Sequence, residues 1–146
     1  MKTNRQDGTV IFYLRVKKGR DITETKYETS GTLYTKKDKK FLFFDEKNLD
    51  DDSITKCRLE FDERQIRIRR DGQLIMEQSY VLNAVKDGYF KTPYGELVTR
   101  SKTHRYKILQ ENQSKLVIGL AYDLFISEDK AGKFDLKIQF EEEAVQ

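Results

Sequence analysis

The chain has 146 residues, with 28 Lys and Arg against 25 Asp and Glu, a net charge of +3, and 37% hydrophobic residues. The mild positive charge permits nucleic acid as a partner without requiring it. With one cysteine, no apolar run of membrane-spanning length and no apolar N-terminal leader, the sequence predicts one cytoplasmic domain over residues 1–146, ordered over about 9–142.

Hydrophobic side chains recur at every second position along most of the chain, which predicts β-strands. Turn-forming residues separate the alternating segments, and only residues 79–88 are compatible with a helical turn. In chain order, the predicted strands cover residues 9–17, 25–34, 40–45, 53–61, 65–70, 74–80, 96–104, 105–110, 115–126 and 133–141.

Each predicted strand has one apolar and one polar face, which is typical of an antiparallel sheet with one face on the core. Among the inward positions, Phe12, Leu120 and Phe134 lie in the middle of strands, and we expect them in the core. Other inward positions include Val10, Leu14, Val16, Cys57, Leu59, Phe61, Ile66, Ile68, Leu74, Met76, Ile118, Leu136, Ile138 and Phe140.

Two turns have distinctive sequences. Asp71-Gly72 predicts a type I′ hairpin turn, which needs positive φ at both central residues. The only proline, Pro93, lies in residues 92–95, where a type I turn is expected. In a second interpretation this corner is a lip of the barrel rim, with Tyr94 over a cavity mouth.

So many amphipathic strands in a small chain leave edges that closure would remove. The sequence therefore predicts an all-β fold, a single closed antiparallel up-and-down barrel of about 8–10 strands. A β-sandwich is the alternative architecture.

Three stretches carry a resemblance to known proteins: residues 30–44, residues 68–97 and residues 119–126. Their markers are Gly31, Arg70 with Gly72, the strand from Met76 to Tyr80, Tyr94-Gly95, and the triplet Ala121, Tyr122 and Asp123. Together they resemble the YwiB-like family of uncharacterised small bacterial proteins with a calycin-like (lipocalin-like) barrel. The resemblance implies an up-and-down barrel in the bacterial cytosol, and it supplies no ligand and no site.

Many polar side chains point to the predicted interior. The candidate ligand-binding residues are Gln78, Tyr80, Tyr94, Thr99, Ser101 and Tyr122; Tyr27, Thr29, Thr55, Thr103 and Tyr106 also face inward. In one interpretation they line a cavity for a small apolar or amphipathic ligand. In the other they bond each other, the backbone or water.

Basic residues alternate on predicted outward faces, and three of them lie together at residues 67, 69 and 70. Such alternation usually marks a solvated surface. The alternative function is a surface adaptor that binds protein or RNA through Arg67, Arg69 and Arg100, although no aromatic side chains interleave with them.

Catalytic signatures are absent from the sequence. The single histidine, His104, has no acid close in sequence to orient it, and Cys57 lies mid-strand among inward residues. We therefore expect no enzyme activity, no metal site and no cofactor, and a buried, unreactive Cys57.

Overall fold

The structure, a computed structural model, describes residues 4–48 and 50–144. Ten antiparallel strands follow one another around a closed barrel, and β1 pairs with β10 to complete it. The strands are β1 (Asn4–Lys18), β2 (Asp21–Lys36), β3 (Lys39–Lys47), β4 (Ile54–Phe61), β5 (Gln65–Asp71), β6 (Ile75–Val81), β7 (Val85–Thr92), β8 (Gly95–Asn112), β9 (Lys115–Ile126) and β10 (Asp129–Glu142). The predicted closed up-and-down barrel is confirmed, and the sandwich is excluded.

Residues 79–88, whose sequence is compatible with a helical turn, contain no helix in the structure. Residues 82–84 link β6 to β7, Leu82 bridges to Thr103, and the Asn83 N–H donates to the Thr103 carbonyl at 2.9 Å. Across residues 4–48 and 50–144, no helix is long and apolar enough to cross a membrane.

Alternating side chains fill the interior largely as the sequence predicts. The core cluster contains Val10, Leu33, Leu42, Phe44, Cys57, Leu59, Phe61, Ile66, Ile68, Tyr80, Leu116, Ile118, Leu120, Tyr122, Leu136, Ile138 and Phe140. Leu120 is a core residue as expected, whereas Phe12 and Phe134 are only half-buried and pack against the cluster. Leu74 does not face inward, because it lies in the β5–β6 turn with 46% of its surface exposed.

One β-bulge in β8 changes which side chains face inward. Thr99, Ser101 and Thr103 are buried, and the pairing register of β8 with β9 shifts between Thr103 and Arg105. After the shift, Tyr106 packs against the core. The predicted inward set contained both Thr103 and Tyr106, and only a bulge allows an odd and an even position to share one face.

Among the described residues, two successive positive φ angles occur at a different hairpin from the predicted one. Neither Asp71 nor Gly72 has positive φ, so the predicted type I′ turn there is wrong. Gly72 is required by space instead, since a Cβ on it would lie 2.6 Å from Thr55 Oγ1. Ser127 and Glu128, with φ of 49° and 74°, link β9 to β10 in the backbone region of a type I′ turn.

The proline corner is a hairpin turn between β7 and β8. Thr92 pairs with Gly95, and Pro93 and Tyr94 form the tip. The Tyr94 N–H donates to Thr92 Oγ1 at 3.1 Å, and Tyr94 has no positive φ, which fits the predicted type I geometry. The corner is thus confirmed as a turn.

Half-buried inward side chains lie at both ends of the barrel. At the end bordered by the β2–β3, β4–β5 and β8–β9 turns, Leu33, Phe61 and Phe140 are buried, whereas Tyr106 and Ile108 are half-buried. At the other end, the open end, the β3–β4, β5–β6, β7–β8 and β9–β10 turns surround half-buried inward side chains. These are Phe12, Leu14, Tyr27, Met76, Leu124 and Phe134.

Candidate ligand-binding site

Three predicted ligand-binding residues form a hydrogen-bonded cluster within the barrel. Thr99 Oγ1 donates to Gln78 Oε1 at 2.6 Å, and Ser101 Oγ donates to the Ser79 carbonyl at 2.9 Å. Gln78 Nε2 donates to Ser101 Oγ at 3.1 Å and to the Lys86 carbonyl at 2.9 Å. Because Gln78, Thr99 and Ser101 are buried and bonded to protein groups, they have little hydrogen-bonding capacity left for a ligand.

The position of this cluster explains why a buried amide is needed. β6 pairs with β7 only from Ile75 to Gln78, after which β6 contacts β8 instead. The Gln78 amide bonds the Lys86 and Ser79 carbonyls where the ladder between β6 and β7 ends. The cluster therefore joins three strands, which matches the interpretation that inward polar groups bond one another.

Tyr80 and Tyr122 pack together deeper in the interior, with ring centroids 4.4 Å apart. Tyr122 also stacks on Phe134 at 5.1 Å. Burial raises the pKa of both phenols, and that of Tyr122 to about 12. Both hydroxyls are therefore neutral at physiological pH and able to donate hydrogen bonds.

Tyr94 does not lie with the other five candidate residues. It occupies the tip of the β7–β8 hairpin and is 99% exposed, so the structure does not place it over the barrel interior. A two-residue turn projects its tip side chain into solvent, which the sequence pattern around Pro93 did not reveal.

Arg70 faces the interior at the open end, and sequence reasoning missed it. The sequence grouped it with the outward Arg67 and Arg69 on one hairpin. Yet Ile66 and Ile68 are buried, and Arg70 shares their side of β5 because side chains alternate along a strand. The same two-residue period that placed the isoleucines inward was a sufficient signal for Arg70.

Four polar side chains meet there and are named the Arg70 cluster: Arg70, Glu46, Tyr27 and Cys57. Arg70 forms an ion pair with Glu46. The buried Tyr27 hydroxyl has no hydrogen-bond partner within residues 4–48 and 50–144. Burial raises the pKa of Tyr27, and the Glu46 carboxylate raises it further. Burial also raises the pKa of the Cys57 thiol to about 11, although the charge of Arg70 opposes the rise.

A pocket of about 300 Å³ at the open end reaches Arg70. It lies between the β3–β4 loop and the β5–β6 turn, and Leu74, Met76 and Phe90 give it an apolar wall. Its remaining lining residues are Asn48, Asp50, Asp51, Thr55 and Gln73. The pocket thus combines one guanidinium and the carboxylates of Asp50 and Asp51 with apolar surface, a combination suited to an amphipathic molecule.

The outward arginines of the alternative function are all paired with acids. Arg67 and Arg69 both bind Glu77, and Arg100 Nε lies 3.1 Å from Asp87 Oδ1. These arginines point outward as predicted. Their neighbouring carboxylates compensate much of the charge that a phosphate backbone would need.

Cys57 and His104 lie on opposite faces of the barrel wall. Cys57 is buried in the core, as predicted. His104 is exposed, and its Nε2 lies 2.8 Å from Asp123 Oδ2, an acid brought from β9. In the part of the chain that the structure describes, no three His, Cys, Asp or Glu side chains are grouped as metal ligands would be.

Comparison with known proteins identifies one family, and one relative that is similar both in sequence and in structure. The model of a family described as "Domain of unknown function (DUF1934)" matches residues 12–138. The "Uncharacterized beta-barrel protein YwiB" of Bacillus subtilis (strain 168) is 26% identical over 117 residues, which are 79% of each chain. The crystal structure of the ywiB protein from Bacillus subtilis gives a TM-score of 0.83 at 21% identity, covering 96% of this chain and 94% of that one. This likeness shows a shared fold.

Proposed function

The chain belongs to the DUF1934 family of domains of unknown function, and we propose that its barrel binds a small amphipathic molecule with an anionic group at the open end. One observation carries the proposal: Arg70 faces the interior beside half-buried apolar side chains. The Arg70 side chain is 38% exposed, so its charge is only partly withdrawn from water, and Glu46 is its described ion-pair partner.

The guanidinium retains capacity for a second anion. Arg70 donates to Glu46, and Glu46 is the one acid that forms an ion pair with it among the described residues. A planar guanidinium can bind two carboxylates on different edges. The Tyr27 hydroxyl, buried and without a described partner, supplies a further donor in the same cluster.

The apolar part of the ligand would contact side chains that the barrel leaves half-buried. Met76 and Phe90 line the pocket, and Phe12 stacks on Tyr27 at 4.7 Å next to the Arg70 cluster. Covering such surface contributes roughly 25 cal/mol per Å² of apolar area removed from water. A pocket of about 300 Å³ selects a small molecule or the end of a longer chain.

Calorimetric titration with matched probes tests this proposal. A medium-chain fatty acid, an aromatic carboxylate and the fatty alcohol of equal length separate the charge from the apolar part. We expect the carboxylates to bind more tightly than the alcohol. Tyr fluorescence is a second readout, since the chain has 8 Tyr and no Trp.

Three variants assign the binding to Arg70. Arg70→Gln should weaken carboxylate binding by roughly tenfold, the value of one charge-assisted hydrogen bond, and leave the alcohol unchanged. Glu46→Gln should strengthen carboxylate binding, because it frees the guanidinium. Arg67→Gln, on the outward face of the same strand, is the matched control. Equal affinities in all three variants, or no binding by any probe, would overturn the proposal.

Short RNA at low and moderate salt tests the adaptor alternative in the same assays. Binding through phosphates must fall steeply with salt, whereas apolar burial depends on it little. An RNA complex that is lost in the Arg67→Ala, Arg69→Ala double variant, with no response to the carboxylates, would replace the ligand proposal by the adaptor.

The proposal assigns binding without a reaction, in the cytoplasm. Cys57 is buried and His104 lies on the outer face, so they have no common substrate position. The reducing cytoplasm is compatible with a single buried thiol.

A further inference from the structure

β2 extends beyond β3, so part of its second edge has no partner strand among the described residues. β2 begins at Asp21, but its pairing with β3 begins only at Gly31. β3 ends at Lys47, which the register of that pairing places level with Glu28. We call residues 21–27 the free edge of β2; they pair with β1 alone, and all but Tyr27 are exposed.

An unpaired edge of this length presents a row of backbone N–H and C=O groups that another strand can bind. Proteins commonly block such edges with proline, a bulge, a covering loop or charged side chains, and this edge carries charges of both signs at Glu24 and Lys26. The free edge contains no proline, and its ladder with β1 is continuous. Its β-branched residues Ile22, Thr23 and Thr25 favour an extended strand, and Ile22 is 49% exposed.

We propose that the free edge of β2 pairs antiparallel with the same edge of a second copy of this chain. The symmetry that joins two identical antiparallel edges in one sheet is a two-fold axis perpendicular to the sheet. That symmetry keeps outward side chains opposite outward side chains. The axis must therefore pass through one residue, and Glu24, Thr25 and Lys26 are the central candidates.

The charges select Thr25 as the centre. There, Glu24 lies opposite Lys26 of the second copy, and Lys26 lies opposite its Glu24. An axis at Glu24 would place the two copies of that carboxylate opposite each other. An axis at Lys26 would place the two copies of that ammonium group opposite each other. It would also place Glu24 opposite Glu28 of the second copy. Opposite charges across a strand pair stabilise it and like charges destabilise it, so only one of the three registers is favourable.

Reversing the charges of Glu24 and Lys26 tests the pairing of the two copies. Sedimentation equilibrium of the wild-type chain should show a concentration-dependent dimer. Glu24→Lys and Lys26→Glu should each weaken it roughly tenfold, because two symmetric contacts change from attraction to repulsion. The double exchange should restore it, and an equimolar mixture of the two single variants should form a heterodimer. Both side chains are exposed, so folding should be unaffected.

Cysteine cross-linking tests the register itself. In a Cys57→Ala background, Thr25→Cys should form an intermolecular disulfide on mild oxidation, since the two copies of residue 25 are opposite each other. Thr23→Cys is the matched control, because residue 23 of each copy would be about 13 Å from its equivalent. A wild-type chain that is monomeric at its highest soluble concentration, or a dimer unaffected by either charge reversal, would overturn the proposal.

Discussion

Gly88 lies directly opposite Gln78 in the ladder between β6 and β7, and a Cβ on Gly88 would overlap Gln78 Oε1. That oxygen accepts the hydrogen bond from Thr99, while the amide nitrogen bonds Ser101 and the Lys86 carbonyl. The absence of a side chain at position 88 thus allows a buried amide to join three strands.

Gly88→Ala should therefore destabilise the fold by displacing the Gln78 amide and by crowding the Glu77 carbonyl oxygen. Each buried polar group left without a partner costs about 1–3 kcal/mol, so we expect a loss of about 2–4 kcal/mol in urea denaturation. Gly119→Ala is the matched strand control, because the atom nearest to an added Cβ there, the Lys107 carbonyl oxygen, is 3.9 Å away. Equal stabilities for the two variants would contradict the strand-joining role of Gln78.

Cys57 should react slowly with a thiol reagent in native buffer and rapidly in denaturant. The thiol is buried, and burial raises its pKa to about 11, so little thiolate is present at neutral pH. Absorbance of the released chromophore of an aromatic disulfide reagent gives both rates. Fast labelling of the native protein would place Cys57 at the surface and reopen a catalytic interpretation.

The same pKa predicts a loss of stability at alkaline pH. The unfolded thiol has a pKa of about 8.5, so between that pH and about 11 the unfolded chain releases a proton that the folded chain retains. Stability therefore falls as pH rises through this window, by about 3 kcal/mol in total. Cys57→Ala should remove this part of the decline. It should leave the contribution of the tyrosines whose pKa burial raises, which begins near pH 10, the ordinary pKa of tyrosine: Tyr27, Tyr80, Tyr106 and Tyr122. If the free energy of unfolding of the wild type and of Cys57→Ala fell equally with rising pH, the prediction would be wrong.

Glu77 should stabilise the fold at neutral pH and lose this effect in acid. Partial burial opposes its ionisation, but hydrogen bonds from Tyr89 and Arg67 hold its pKa below the ordinary value. A lowered pKa means that the stabilisation is present above about pH 4.3 and is lost as pH falls through the folded pKa.

Denaturation of Glu77→Gln at two pH values measures this contribution. At pH 7 the variant should be about 1 kcal/mol less stable than the wild type, a value reduced for solvent screening of the paired arginines. The difference in stability between Glu77→Gln and the wild type should become smaller in strong acid. Glu63→Gln, in the exposed β4–β5 turn, should show no difference at either pH. A constant deficit for Glu77→Gln at both pH values would show that packing, not charge, is responsible.

The period of two was enough to predict the barrel, because it places apolar residues inward without knowledge of the pairing partners. Thr55, Cys57, Leu59 and Phe61 are all buried as the alternation requires. Closure also follows from the number of amphipathic strands. These features depend on local sequence, which is why the sequence contains them.

The site required information that alternation alone does not carry. Arg70 has the inward parity of Ile66, but its partner Glu46 comes from β3 through the β3–β4–β5 register. The bonding of Gln78 to Ser101 likewise depends on where β6 leaves β7. The type I′ turn at Ser127 and Glu128 has no glycine or asparagine to reveal it.

Changing one apolar residue in the core and one at the open end to Ala should show whether side chains pack less tightly at the open end. Leu120 is completely buried, pairs with Leu136 on the neighbouring strand β10, and should cost about 2–5 kcal/mol when changed to Ala. Phe12 is half-buried at the open end and stacks on Tyr27 at 4.7 Å. If the Phe12 side chain were fully packed, its change to Ala would cost more stability than Leu120→Ala, because a larger group would be removed.

We expect Phe12→Ala to cost less than Leu120→Ala, about 1–2 kcal/mol, because part of the Phe12 ring is already in contact with water. The same variant should weaken binding of the fatty acid probe, since it removes apolar surface beside the Arg70 cluster. Urea denaturation and calorimetric titration measure the two effects on one protein preparation. If Phe12→Ala were the more destabilising variant and left the titration unchanged, the open end would be a packed part of the core and not a place for a ligand.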